Sequence, residues 1–151
     1  MSFVRNSATQ ITAVAPAGAA GTVDVTVTSP GGTSATSAAD RYTYVATPAV
    51  TNVAPKRGPL AGGTSVVITG TGFSTATAVK FDATNATSFT VNSATQITAV
   101  APAGSAGTVD ITVTTPGGTS ATTSADRFTY VAAPTVSNVS PSGGPIAGAR
   151  V

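Results

Sequence analysis

Few side chains in this chain could do chemistry, and they are of narrow type. Among 151 residues there is no histidine and no cysteine, and the acids are five Asp with no Glu. Imidazole bases, thiolate nucleophiles and the usual zinc ligands are therefore missing together. A Ser or Thr nucleophile needs a base beside it, and only scattered Asp are on offer, so no enzyme activity is expected. The acids recur in pattern: Asp24 is matched by Asp110, and Asp40-Arg41 by Asp126-Arg127. An Asp-Arg step entering a strand reads as a turn acid bonding nearby backbone, with the arginine covering a strand edge, in preference to a ligand-facing pair. A lone carboxylate on a wet strand face, as expected of Asp24 and Asp110, does not make a calcium site, which needs about 6 to 8 converging oxygens. No metal and no cofactor are expected.

The cations offer little more. Seven Lys and Arg leave a net charge of +2 spread along the chain. Nucleic-acid binding requires clustered cations to displace counterions from phosphates, so no nucleic-acid partner is expected. The densest pair, Lys56-Arg57, falls in a Gly- and Pro-rich connector. Both residues are candidates for a loop that binds an anionic partner, although solubilising an exposed loop is the plainer role. Lys80 alternates outward along its strand, which argues against a buried Lys to Asn crosslink. The five Phe and three Tyr mostly take inward positions, so the aromatic platforms of a sugar site are not evident. Asn85-Ala-Thr87 and Asn138-Val-Ser140 fit the short glycosylation acceptor pattern. Residues Met1 to Arg5 lead into polar sequence and do not read as a signal peptide. No apolar run approaches the ~20 residues of a membrane helix, so no membrane span is expected.

The elements that hold these residues are set by a repeat. Ser7 to Thr36 recurs as Ser93 to Thr122 with three mild differences: Ala19 against Ser105, Val25 against Ile111 and Ser29 against Thr115. The period is 86 residues, and 46 of 65 alignable positions are identical, so one structural unit recurs. On this period residues 1–47 are the C-terminal half of a unit, 48–133 a complete unit, and 134–151 the start of another. The complete unit opens with a proline-fenced strand over Pro48 to Pro55, and a turn-rich connector follows from Lys56 to Gly63. Thr64 to Thr69 is a β-branched strand, and Phe73 reads as a core plug. Ala78 to Asp82 alternates with Val79 and Phe81 inward, and Ser88 to Val91 repeats the pattern. Ile97 to Val100 is a strand. Thr108 to Thr114 alternates with Val109, Ile111 and Val113 on one face and hydroxyls and Asp110 on the other. Pro116-Gly117-Gly118 is a hairpin turn, Thr119 to Thr123 returns, and Arg127 to Val131 closes the unit. No segment has helical periodicity. About seven short strands with regular turn signals predict an all-β, immunoglobulin-like antiparallel β-sandwich in tandem repeats of 86 residues.

Pro55, Gly58-Pro59, Ala61-Gly-Gly-Thr64, the run Val67 to Phe73, Ser93-Ala-Thr-Gln96, Ala106-Gly-Thr-Val109, Pro116-Gly-Gly118 and Phe128-Thr-Tyr130 together resemble the IPT/TIG family of immunoglobulin-like domains. The resemblance covers Pro48 to Val131 in full and the flanking segments in part. It implies an early-set sandwich of the kind found in tandem in bacterial surface proteins, as accessory modules of carbohydrate-active enzymes, in animal receptors, and as a dimerisation domain of some transcription factors. One departure stands out: the family often has Phe-Gly after the third strand, whereas here Phe81 precedes Asp82, which predicts a different turn.

The partial units at the two ends carry an expectation of their own. Half a sandwich exposes an apolar face and free strand edges, which calls for a completing partner. The expected function is that of a non-catalytic structural module of an extracellular or cell-surface protein, self-associating head to tail into a fibre or stalk. The residues expected to meet in that joint are Phe3, Val25, Val27 and Tyr44 in the head, with Pro134, Val136 and Val139 in the tail. Its weakness is that the joint has no counterpart of Val66 to Ala86, and the competing explanation is that the sequence is a window of a longer repeat array whose other residues supply the missing strands. The alternative is an adhesin module whose loops bind a glycan or a protein.

Overall fold

The computed structural model describes residues 2–144 and 146. The head comes first in the chain and holds six short strands: β1 (Phe3–Arg5), β2 (Ile11–Ala13), β3 (Gly21–Asp24), β4 (Thr28–Ser29), β5 (Gly32–Thr33) and β6 (Arg41–Tyr44). They form three separate antiparallel pairs, β1 with β2, β3 with β6 and β4 with β5. Among the described residues no wider sheet joins them.

The complete unit behaves differently. Its strands are β7 (Ala49–Ala54), β8 (Arg57–Pro59), β9 (Ser65–Thr71), β10 (Ala78–Phe81), β11 (Thr84–Asn85), β12 (Ser88–Ser93), β13 (Gln96–Val100), β14 (Gly107–Thr115), β15 (Gly118–Thr119) and β16 (Arg127–Val131). One sheet runs β12-β13-β9-β7 and the other β11-β10-β14-β16-β8, with β15 hairpinned onto β14. The period-2 alternation in β9, β10, β13 and β14 sends Val66, Ile68, Val79, Phe81, Ile97, Ile111 and Val113 into the space between the sheets. Phe73, in a single 3-10 turn after β9, fills that space with Phe128. Phe128 stands edge-on to both Phe81 and Tyr130, with ring centroids 5.4 and 5.1 Å apart. This is an immunoglobulin-like all-β sandwich.

Two details correct the strand assignments made from sequence. The connector Lys56 to Gly63 contains β8, which pairs with β16 in parallel, Thr129 opposite Arg57 and Val131 opposite Pro59. The chain thus crosses from the first sheet to the second within a few residues of Pro55. The return expected over Thr119 to Thr123 is shorter than predicted, because only Gly118–Thr119 pairs with β14. In the turn after Phe81, Asp82 takes a left-handed φ of 54°, a conformation that glycine favours, to close β10 onto β11.

The repeated Pro-Ala-Gly loop has a packing reason. Tyr130 donates its hydroxyl to the Pro102 carbonyl at 2.8 Å, and its ring lies where a Cβ on Gly104 would sit, 2.7 Å away. A second glycine fixes the joint between head and unit. Gly117 in the Pro-Gly-Gly hairpin faces the carbonyls of Val45 and Ala46, and Thr47 donates to the Gly117 carbonyl at 3.2 Å.

Candidate functional site

The inner face of the head is exposed where its counterpart in the complete unit is buried. Val25 is 44% exposed where its counterpart Ile111 is 0%, and Tyr42 is 45% exposed where Phe128 is 0%. Ile11, Val23 and Val27 are likewise exposed, whereas Ile97 and Val113 are fully buried and Val109 is half-buried. A groove of about 380 Å³ runs across this face, lined among others by Ala13, Pro16, Val23, Val25, Tyr42 and Tyr44.

Backbone pairing explains why the face is open. In the complete unit β14 is one nine-residue strand. Its segment Ile111 to Thr114 is held by β10, with Phe81 opposite Ile111 and Val79 opposite Val113. The head has no counterpart of β10, and there the same strand breaks into β3 and β4, with Val25, Thr26 and Val27 outside either. The break coincides with the residues whose partner strand is missing. The other sheet repeats the effect: β13 spans five residues beside β9, and β2, with no counterpart of β9 beside it, spans three. Local bonds nevertheless survive in the head. Val25 donates to the Asp40 carbonyl at 2.8 Å as Ile111 does to Asp126 at 3.0 Å, and Tyr44 donates to the Pro16 carbonyl at 2.8 Å.

The residues expected to meet in a joint lie as follows. Phe3 on β1, Val25, Val27 and Tyr44 all belong to the head, and Tyr44 is its most covered aromatic, edge-on to Tyr42 at 5.0 Å. In the tail, Pro134, Val136 and Val139 are exposed and belong to no strand, and no sheet pairing joins them to the head within one chain. Pro145 and residues 147–151 of the expected tail segment lie outside the described residues. The counterpart of Pro134 to Val139 in the complete unit, Pro48 to Val53, carries β7, whose sheet partner is β9. A tail lying on the head would therefore find its direct partner only through the counterpart of β8, along β6.

Lys56 and Arg57 sit in a second feature that sequence reasoning located only in part. The parallel pairing of β8 with β16, and of β16 with β14, gathers Lys56, Arg57, Arg127, Asp110, Thr108 and Thr129 around a shallow groove of about 540 Å³. Arg127 Nε stands 3.8 Å from Asp110 Oδ1, both side chains well exposed, a pair worth at most about 1 kcal/mol. Among the described residues Lys56 and Arg57 have no carboxylate at ion-pair distance. Arg127 was legible as an edge cover for its own strand, but its meeting with Lys56 and Arg57 depends on the crossing at Pro55, which no local pattern signals. The head repeats the Arg-Asp pair as Arg41 and Asp24 at 3.9 Å, without the two further cations.

The acid of the Asp-Arg step is a structural cap. Asp126 is fully buried, and its Oδ2 accepts from the Thr123 amide at 2.8 Å. Its Oδ1 has no partner. Burial pushes its carboxyl above the ordinary value of 3.8, the Thr123 bonds pull it back in part, and the charge of Asp110 adds to the rise. Burial likewise raises Tyr130. Among the described residues no three acids gather closely enough to hold a metal ion, and no helix is long and apolar enough to cross a membrane.

The IPT/TIG domain profile matches residues 48–130, and the chain belongs to that family. Among solved structures it is similar to the full extracellular region of Plexin A4, at 27% identity and a TM-score of 0.53, over 77% of this chain and 12% of that one. It also matches SGBP-B from a complex xyloglucan utilization locus in Bacteroides uniformis, at 24% identity and a TM-score of 0.45, over 73% of this chain and 30% of that one. The chain thus spans less than a third of either protein. No curated protein matches it.

Proposed function

We propose that this chain is a non-catalytic structural module of an extracellular or cell-surface protein, whose incomplete sandwich is closed by a neighbouring molecule. On this reading residues 1–47 are the back half of a repeat, 48–133 a complete repeat and 134–151 the opening of a third. Copies join head to tail, the tail of one lying along the open half of the next. The observation that carries the reading is the contrast between Val25 and Ile111, one position of the repeat with opposite burial. The parallel pairing of β8 with β16 supports a route for the tail, whose counterpart of β8 can run along β6. A contact of this kind does not close on itself and propagates as a fibre. The packing of Val45, Ala46 and Thr47 on the Gly117 hairpin suits a spacer, because it restrains the joint between successive units. The hydroxyl-rich surface and the likeness to the Plexin A4 extracellular region support a location outside the cell. Electron microscopy of the purified chain, alone and lacking Pro134 to Val151, tests the joint. Filaments that vanish with the deletion support it. A monodisperse monomer in the first sample, or unchanged filaments in the second, sinks it.

A second reading, an adhesin module, is favoured by the groove that gathers Lys56, Arg57 and Arg127. Binding on a glycan array that includes sulfated and uronic acid glycans, lost in the double variant Lys56→Ala, Arg57→Ala, would support it.

A further inference from the structure

We infer that the groove over β8, β16 and β14 binds the acidic groups of a polysaccharide, uronate carboxylates or sulfate esters, through Lys56, Arg57 and Arg127. This rests on the adhesin reading above and goes further by naming the ligand class and the residues that select it. One crossing of the chain builds the groove. Thr129 donates its amide to the Lys56 carbonyl at 2.8 Å, and β8 then lies parallel to β16 with Arg57 opposite Thr129. So close an approach requires Gly58, where a Cβ would lie 2.7 Å from the Phe128 ring and against Thr64. Alternation along β16 and β14 turns Phe128, Tyr130 and Val109 inward and leaves Arg127, Thr129, Thr108 and Asp110 on the outer face.

Charge on this face is lopsided. Three cations meet a single carboxylate, Asp110, which stands 3.8 Å from Arg127 and leaves Lys56 and Arg57 with donors and no acid to take them. Between the cations the hydroxyls of Thr108 and Thr129 lie 3.0 Å apart, free to turn toward sugar hydroxyls. The repeat separates what the fold requires of this face from what it does not. The head keeps the hydroxyl pair as Thr22 and Thr43 at 3.0 Å and the ion pair as Arg41 and Asp24 at 3.9 Å. Gly58-Pro59 recurs as Gly144-Pro145, whereas Lys56-Arg57 gives way to Ser142-Gly143. The two cations are therefore an addition of this unit and not a need of the connector. The groove is shallow and its charged side chains are exposed, so each charge contact contributes little. A lone anion gains too little there, whereas a polymer sets several acidic groups and hydroxyls across the face at once. Guanidinium forks match the paired oxygens of a carboxylate or a sulfate. A single-stranded nucleic acid fits less well, because Phe128 and Tyr130 are buried and offer no ring on which bases could stack.

The test is titration calorimetry of the full chain with polygalacturonate, dextran sulfate, neutral dextran and a single-stranded oligonucleotide, at about 50 mM salt to limit screening. Saturable binding of at least one acidic polysaccharide is expected, with none of neutral dextran, and the two acidic polymers tell carboxylate from sulfate ester as the bound group. The double variant Lys56→Ser, Arg57→Gly installs the residue types found at 142 and 143 and should weaken binding about tenfold, with the thermal midpoint unchanged. Arg127→Gln, which leaves Asp110 unpaired, should weaken it as well. Arg5→Ala with Arg41→Ala removes the same charge outside the groove and should change affinity less than about twofold. Asp110→Asn takes away the one carboxylate of the groove and should tighten binding about threefold, a gain that a purely solubilising loop would not give. Binding of neither acidic polymer overturns the inference, as does equal weakening by the two double variants, or an oligonucleotide bound as tightly as the polysaccharides. Binding of a neutral glycan on the array without binding of either polyanion removes this inference and keeps the adhesin reading. Binding of no glycan at all removes both.

Discussion

The hydroxyl of Tyr44 donates to the carbonyl of Pro16 at 2.8 Å, the same bond that Tyr130 makes to Pro102. The head therefore keeps the internal lock seen in the complete unit. In the complete unit that lock is buried, so Tyr130→Phe strands a desolvated carbonyl and should cost about 1 kcal/mol of stability. Tyr44→Phe should leave the main urea transition unchanged, since water can replace the bond in the open head. Urea unfolding followed by far-ultraviolet circular dichroism reads both.

The same asymmetry applies to the apolar positions. Ile111→Ala removes a fully buried side chain from between the sheets and should cost about 2 to 5 kcal/mol. Val25→Ala, at the equivalent place in the head, should cost less than about 0.5 kcal/mol in dilute solution. Equal costs would mean that the head is already closed.

Asp126 predicts a pH dependence of definite sign. Its folded carboxyl titrates above the unfolded value of 3.8, chiefly through burial. Below that value both states hold the proton and its contribution is fully present. As pH rises, the unfolded state ionises first, so stability falls until pH passes the raised folded value and then levels. Asp126→Asn retains an acceptor for the Thr123 amide and should remove this decline, seen as a flatter profile of the thermal midpoint as pH is raised from below the ordinary carboxylate value.

Gly117 predicts a property of the joint. A Cβ at this position would lie 2.6 Å from the Val45 carbonyl oxygen and against Ala46. Gly117→Ala should push the linker off the hairpin and break the Thr47 bond. Small-angle scattering should then report a broader distribution of distances between head and unit, with the thermal midpoint of the unit little changed.

Much of this was legible in the residues themselves. The alternation of Val109, Ile111 and Val113 against Thr108, Asp110 and Thr112 states which face of β14 is dry, and Phe73 after Gly-Thr-Gly states a plug. The 86-residue period marked out the repeated stretches, and the matching domain profile spans 48–130. What escaped was non-local. Strand β8 is written in Arg57, Gly58 and Pro59, residue types that signal turns, and its existence depends on the distant edge of β16. The basic groove follows from the same pairing. The break between β3 and β4 was equally hidden, because Gly21 to Ser29 differs from Gly107 to Thr115 only at Val25 and Ser29. The difference lies in the absent partner strand, not in propensity.

Amide exchange at Val25 and Ile111 tests the central claim most directly, because both amides donate to the carbonyl of an aspartate at the same point of the repeat. In a dilute sample Ile111 should exchange at least about a hundredfold more slowly than Val25. Equal protection of the two amides in the dilute monomer would contradict the account of an open head face.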